Sequence, residues 1–346
     1  MAVLILIGCG GGGSSSGGDN GSNANAGNNA GNNAGNNAGN NAGNNAGNNA
    51  GNNAGNNAGN NAGNNAGNNA GNNAGNGGTV TPLVYVVGDP LSSNLFAINS
   101  DGTSRTAVAT GGLTAEQPSV DAARSRIAFV HFDLFADIYV ATTSGVTNLT
   151  SGSNADNTEP DYSPDGTKIA FVSSRDGGLN QIFVMNADGS NVVQLTTFAN
   201  FSFGARSPRW SPDGTKIAFV AGDTSDDIWV MNANGTNASA LVTSPDPDYA
   251  PTWASNGQSI FFVTDGGGIT PNGLIYKIPY PSGSISAVTT GTVNDNEPVA
   301  SKDGTEVYFV RTDQGVTQVW KVVLATGVAS VITTESQAVS RPRVAN

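Results

Sequence analysis

A proline that returns six times constrains this chain more than any other feature in it. Pro118, Pro160, Pro208, Pro251, Pro298 and Pro342 stand 42, 48, 43, 47 and 44 residues apart, and each heads a similar segment. Two copies are nearly identical. One reads Pro160-Asp161-Tyr162-Ser163-Pro164-Asp165-Gly166-Thr167-Lys168-Ile169-Ala170-Phe171-Val172, and its counterpart runs over residues 208–220. A unit this short cannot enclose a core alone and must stack on neighbours. The period fits propeller blades of four short strands.

Each unit carries the grammar of such a blade. A short strand holds an aromatic residue (Tyr162, Trp210, Trp253). A tight turn follows at Asp165-Gly166, Asp213-Gly214, Asn256-Gly257 or Asp303-Gly304, where glycine accepts positive φ without penalty. Apolar strands are then expected at 127–130, 169–172, 217–220, 260–263 and 307–310, and third strands at 138–140, 182–184, 228–230, 275–276 and 319–320. A second turn, Asp188-Gly189 or Asn234-Gly235, leads to an outer strand such as 192–195. β-Branched and aromatic residues fill these runs, and no long helical period interrupts them.

Counting the strands predicts how the ring closes. The proline-led strand occurs six times, but the first blade, with strands at 83–87 and 95–98, has none before it. Residues 341–345 form such a strand with nothing after it. The two ends are therefore expected to complete one blade together, removing an open sheet edge. The fold class expected is all-β: a six-bladed β-propeller of four-stranded blades over residues 79–346, closed by the C-terminal strand. The repeats resemble those of TolB-type propellers, also found in prolyl oligopeptidases. The Ser-Pro-Asp-Gly copies and Met185-Asn186-Ala187-Asp188-Gly189 carry the likeness, which covers about residues 82–346. The resemblance implies a six-bladed disc. TolB itself places an α/β domain before its propeller, and oligopeptidases add a hydrolase domain; this sequence has neither pattern.

What precedes the propeller is of a different kind. Residues 2–8 are a short apolar run, read as a signal segment over residues 1–8 without basic residues at its start; a start site lying upstream would account for that. Leu6-Ile7-Gly8-Cys9 resembles a bacterial lipobox, which makes Cys9 the expected lipid attachment site and the outer membrane the expected destination. Each methylene of an acyl chain contributes about 0.8 kcal/mol to anchoring. Residues 9–78 then form a low-complexity linker, in which Ala-Gly-Asn-Asn repeats twelve times over residues 26–73. One alanine in four residues cannot offset a backbone ordering cost of about 1–2 kcal/mol per residue, so this segment is expected to be a flexible tether. Its r.m.s. reach is roughly 40–50 Å.

Charge and rare residues narrow the function. The chain carries a net charge of −12, with 14 basic residues in all, which argues against a nucleic-acid partner. A single cysteine, Cys9, and a single histidine, His131, exclude an internal disulfide and any zinc site built on two such ligands. No G-x-S-x-G elbow is present in residues 79–346. His131 lies between two strands and is expected to be structural, and Trp210, Trp229, Trp253 and Trp320 fall on strand positions as packing residues. Asp223-Thr224-Ser225-Asp226-Asp227 lacks the glycine and glutamate of a calcium loop and reads as an acidic turn.

In such a ring the proline-led strands line a central channel. The candidate binding residues beside each proline are Glu159, Asp161, Arg209, Thr252, Glu297 and Arg343. Two readings stand for the carboxylates. They could grip a basic or polar partner segment, or Ca²⁺, at the channel mouth. Alternatively, Glu159 and Glu297 cap strand-end amides or pair with Arg209 and Arg343. No catalytic set and no other cofactor is expected. The functional expectation is a monomeric, non-enzymatic envelope lipoprotein whose propeller binds a protein or peptide, touching the membrane through its lipid alone. A polysaccharide- or cell-wall-active lyase or hydrolase is the alternative.

Overall fold

The structure, a computed structural model, describes residues 82–89, 91–197, 201, 204–222, 225–265 and 273–345. Cys9, the signal segment and the Ala-Gly-Asn-Asn tether lie outside the described residues, as do Asp223 and Thr224. Among the described residues every regular element is a strand. They form six antiparallel four-stranded sheets, the six blades.

Blade 1 joins Pro82–Val87, Asn94–Asn99 and Thr106–Ala107 to the C-terminal strand Val339–Arg343. Blades 2 to 6 follow in sequence, each starting at its inner strand: Glu116–Val120, Asn157–Tyr162, Ala205–Trp210, Asp248–Trp253 and Asn294–Ala300. Each inner strand packs against the inner strand of the next blade, and Val339–Arg343 packs against both Asn294–Ala300 and Glu116–Val120. That cycle of contacts is a closed ring of six. The closing strand begins two residues earlier than the sequence suggests; Val344 and Ala345 lie beyond it, buried.

The second strand of each blade shows why this sequence folds this way. Side chains alternate across a strand. Ile127 and Phe129 pack between blades 1 and 2, whereas Ala128 and Val130 pack between blades 2 and 3. Ile169 and Phe171 join the latter cluster while Ala170 faces blade 4. Six apolar clusters arise this way, one at each blade junction, and the ring's axis stays free of core.

The Ser-Pro-Asp-Gly-Thr turns are held by their own side chains. Asp165 Oδ1 accepts from Ser163 Oγ (2.6 Å) and from the Thr167 N–H (3.0 Å), and Gly166 takes a φ of 68°. Asp213 repeats both bonds. Because strands alternate in direction, these turns all lie at one end of the ring, the turn face. The hairpins between second and third strands, and the loops feeding the inner strands, lie at the other, the hairpin face.

Closure has a dedicated latch. Val84 pairs with Arg343 and Val87 with Val339. Glu335, in the loop before the closing strand, accepts from Tyr85 Oη (2.6 Å) and bidentately from Arg105 Nε (2.5 Å) and Nη2 (2.9 Å), both in blade 1. Its main chain is gripped by Gln318 of blade 6, which donates to Glu335 O (2.8 Å) and accepts from Glu335 N (3.0 Å). Arg105 also lies 3.6 Å above the Phe96 ring.

Candidate functional site

The six prolines mark a repeated distortion. The residue before each one has a left-handed backbone: Gln117 (φ 51°), Glu159 (53°), Ser207 (55°), Ala250 (51°), Glu297 (52°) and Arg341 (53°). None is glycine, so each position carries strain on the order of 1–3 kcal/mol, held in place by its surroundings. The strand register shifts at the same place in every blade. This is a β-bulge, which re-aims the side chains that follow it.

The bulges build the channel. The residues after the six prolines, Ser119, Asp161, Arg209, Thr252, Val299 and Arg343, all line one cavity of about 380 Å³, toward the turn face. Five of the residues before the prolines, Glu159, Ser207, Ala250, Glu297 and Arg341, line a second cavity of about 350 Å³, toward the hairpin face. Arg209, Arg343 and Pro298 line both. The two arginines thus stand at the waist between the halves, on blades 4 and 1, which are opposite in a ring of six.

The channel-side carboxylates have structural work. Glu159 N–H donates to Gln117 Oε1 (2.6 Å), Ser207 N–H donates to Glu159 Oε2 (2.5 Å), and Arg341 N–H donates to Glu297 Oε2. Each bond joins the left-handed residue of one blade to that of the next. A second tier repeats the scheme one step inward: Tyr162 N–H donates to Ser119 Oγ (2.9 Å) and Trp210 N–H to Asp161 Oδ2 (2.8 Å). Glu297 also lies 3.8 Å from Arg341 Nε. Among the described residues neither Glu159 nor Glu297 forms an ion pair with Arg209 or Arg343, so that half of the capping expectation is corrected. The arginines instead each donate Nη1 to the carbonyl of the preceding proline, Pro208 (2.7 Å) and Pro342 (2.8 Å).

The channel's electrostatics follow from this. Burial, and then the Arg209 charge, push the Arg343 guanidinium down to about 9, low for arginine but still charged at neutral pH. At the hairpin face, burial raises the Glu116 carboxyl above its ordinary range. Among the described residues no three His, Cys, Asp or Glu side chains come together as a metal site. His131 Nδ1 lies 2.9 Å from Thr114 Oγ1, and its ring meets Tyr139 edge-on. Trp210 and Trp253 are buried between blades.

The structure brings all six candidate residues to one channel but on different levels. Glu159 and Glu297 line the hairpin-face half, Asp161 and Thr252 the turn-face half, and Arg209 and Arg343 both. Sequence reasoning missed Gln117, Ser119 and Arg341. The available signal was an acceptor side chain before proline in three units, Gln117, Glu159 and Glu297.

Comparison with known proteins agrees with the six-bladed fold. Residues 194–346 match the family model of the TolB beta propeller domain. A second model, described as a middle domain, matches residues 3–93, mostly the asparagine repeat. TolB from Acinetobacter baumannii superposes with a TM-score of 0.66 at 19% identity, covering 77% of this chain and 66% of that one. A putative TolB from Agrobacterium tumefaciens gives 0.58 at 17% identity over 74% of this chain and 90% of that one. An uncharacterized peptidase of Bacillus subtilis, YuxL, is 27% identical over 174 residues, half of this chain. The chain spans about a quarter of that relative's length and about two thirds of the Acinetobacter protein's.

Proposed function

We propose that this chain, whose described residues form a TolB-like six-bladed propeller, is a non-enzymatic docking module of the bacterial cell envelope, tethered by a lipid on Cys9 and offering its hairpin face to a protein partner. One observation carries the docking reading. Hairpins of three consecutive blades lift apolar side chains into solvent: Leu91 (91% exposed) from blade 1, Leu134 (84%) with Phe132 and Phe135 from blade 2, and Leu179 from blade 3. They stand on the same face as the cavity lined by Glu159, Glu297 and Arg341. Isolated exposed leucines are ordinary; a set spread over three adjoining blades beside a polar mouth is the make-up of a protein-binding patch.

A photo-crosslinking residue placed at Leu134 should capture a partner of one mass in intact cells. The same residue at Thr215, exposed on the turn face, should not. Replacing Leu91, Phe135 and Leu179 by Ser should abolish the adduct while the melting temperature holds. Equal capture from both faces would sink the reading. For the anchor, Cys9→Ser should move the protein from the membrane pellet to the soluble fraction. A variant that still pellets after a salt wash would rule out lipidation.

A further inference from the structure

Two arginines without an ion pair stand at the channel waist, on opposite blades. Six ion pairs tie Arg105, Arg126, Arg206, Arg311, Lys321 and Arg341 to carboxylates; among the described residues Arg209 and Arg343 have none. Arg343 is 8% exposed, and its Nε has no hydrogen-bond partner. Two like charges face one another with part of their donor capacity unused. Leaving a buried donor unpaired is costly, and so is holding two like charges together; an anion that takes the free donors removes the first cost and lessens the second. The nearest carboxylates are engaged with main-chain N–H groups: Asp161 with Trp210, Glu159 with Ser207 and Glu297 with Arg341.

We propose that the waist of the channel, between Arg209 and Arg343, is a binding site for a carboxylate group. The two side chains form a matched set: each spends Nη1 on its own preceding carbonyl, in the same way, on opposite blades. The other nitrogens of each fork remain for an oxyanion, and guanidinium meets carboxylate with a fit that ammonium lacks. Ser119 Oγ accepts from the Tyr162 N–H and keeps its own proton to donate into the same cavity, which Thr252 also lines. Local charge selects a monoanion. Asp161 and Glu297 already act on Arg343, so every further negative charge also meets their repulsion, which weighs more on a doubly charged phosphate than on a single carboxylate. The halves of about 380 and 350 Å³ on either side admit a slender ligand and exclude a folded one.

The carboxylate has two sources, a free small acid or the C-terminal end of an extended peptide, and one titration separates them. The full chain is titrated at fixed ionic strength with sodium acetate, with tetra-alanine and with tetra-alanine amide, by calorimetry and by melting temperature. The free-acid peptide should bind about ten-fold or more tighter than the amide. Arg209→Gln, at a half-exposed position, should remove that preference; Arg343→Gln should do the same, and Arg209 carries the test if the buried variant does not fold. Acetate that binds as tightly as the acid peptide assigns the site to small acids; a peptide that outcompetes acetate assigns it to chain ends. No saturable response to acetate or the acid peptide, or an acid preference that survives Arg209→Gln, overturns the proposal. The site rests on the channel alone, so it can fail without the hairpin-face partner failing, and the reverse.

Discussion

The third residue before each proline shows how much a single side chain owes to its surroundings. Asn157, Asp248 and Asp295 occupy this position in blades 3, 5 and 6, and all are buried. Arg311 meets Asp295 bidentately at 2.6 and 2.8 Å, and Arg175 Nη2 donates to Asn157 Oδ1 at 2.5 Å. Asp248 has no arginine and is met by Ser244 Oγ at 3.0 Å. Burial therefore dominates, and its carboxyl rises from 3.8 to about 6, with Asp227 and Asp246 adding to the shift. The folded state holds this proton more tightly than the unfolded chain does. Its contribution to stability is fully present below about pH 4, is lost as pH rises from 4 through 6, and above 6 the full cost of the buried charge remains. Asp248→Asn keeps the shape and removes the charge. It should raise the melting temperature by a few degrees at pH 8 and leave it unchanged near pH 4. Melting curves at the two pH values check this; an equal shift at both would mean that charge is not the cause.

At the scale of elements, the inner strand and its bulge decide how blades meet. Side chains of Gln117, Glu159 and Glu297 reach across a junction to the N–H of the next blade's bulge, whereas Ser207, Ala250 and Arg341 occupy the same place without such a bond. Three of the six junctions are thus stitched at this level. Glu159→Ala should leave the Ser207 N–H unpaired and cost about 1–2 kcal/mol, while Glu159→Gln, which keeps an acceptor oxygen, should cost less than half of that. Urea midpoints give the order; equal losses would remove the cap from the account. The strands and turns themselves were legible in the sequence because both obey local rules. Alternation in Ile169-Ala170-Phe171-Val172 and the Asp165-Gly166 turn need no knowledge of neighbours. The bulges were not, since a left-handed residue before proline is held by a partner some forty residues away, as Glu159 is by Gln117. For the same reason sequence could name Glu159 and Glu297 as channel residues but not decide whether their oxygens faced a ligand or an amide.

The whole molecule is held by closure. The strand count foresaw a shared first blade, and Val339–Arg343 indeed lies beside Pro82–Val87. Glu335 and its grip on Tyr85 and Arg105 left no trace in the repeats, because the loop before the closing strand has no counterpart pattern elsewhere. Beyond the strand, Val344 and Ala345 enter the clusters on the two sides of blade 1. Deleting residues 342–346 should therefore lower the melting temperature of the entire propeller, by several degrees or more, although chain ends usually tolerate trimming. An unchanged melting temperature in calorimetry would contradict a ring that depends on its last strand.

The shared blade also sets the order of events during synthesis. Tyr85 and Glu335 meet across 250 residues of chain. A ribosome therefore exposes the first strands of blade 1 long before the strand that completes them exists. At about 5–20 residues per second, that interval is on the order of tens of seconds. Throughout it, Pro82–Val87 presents an unpaired edge to the cell, and every nascent copy is open to the same mistake, pairing with a neighbour's closing strand instead of its own. A chain of this design gains from being kept apart from its copies until its final residues have emerged.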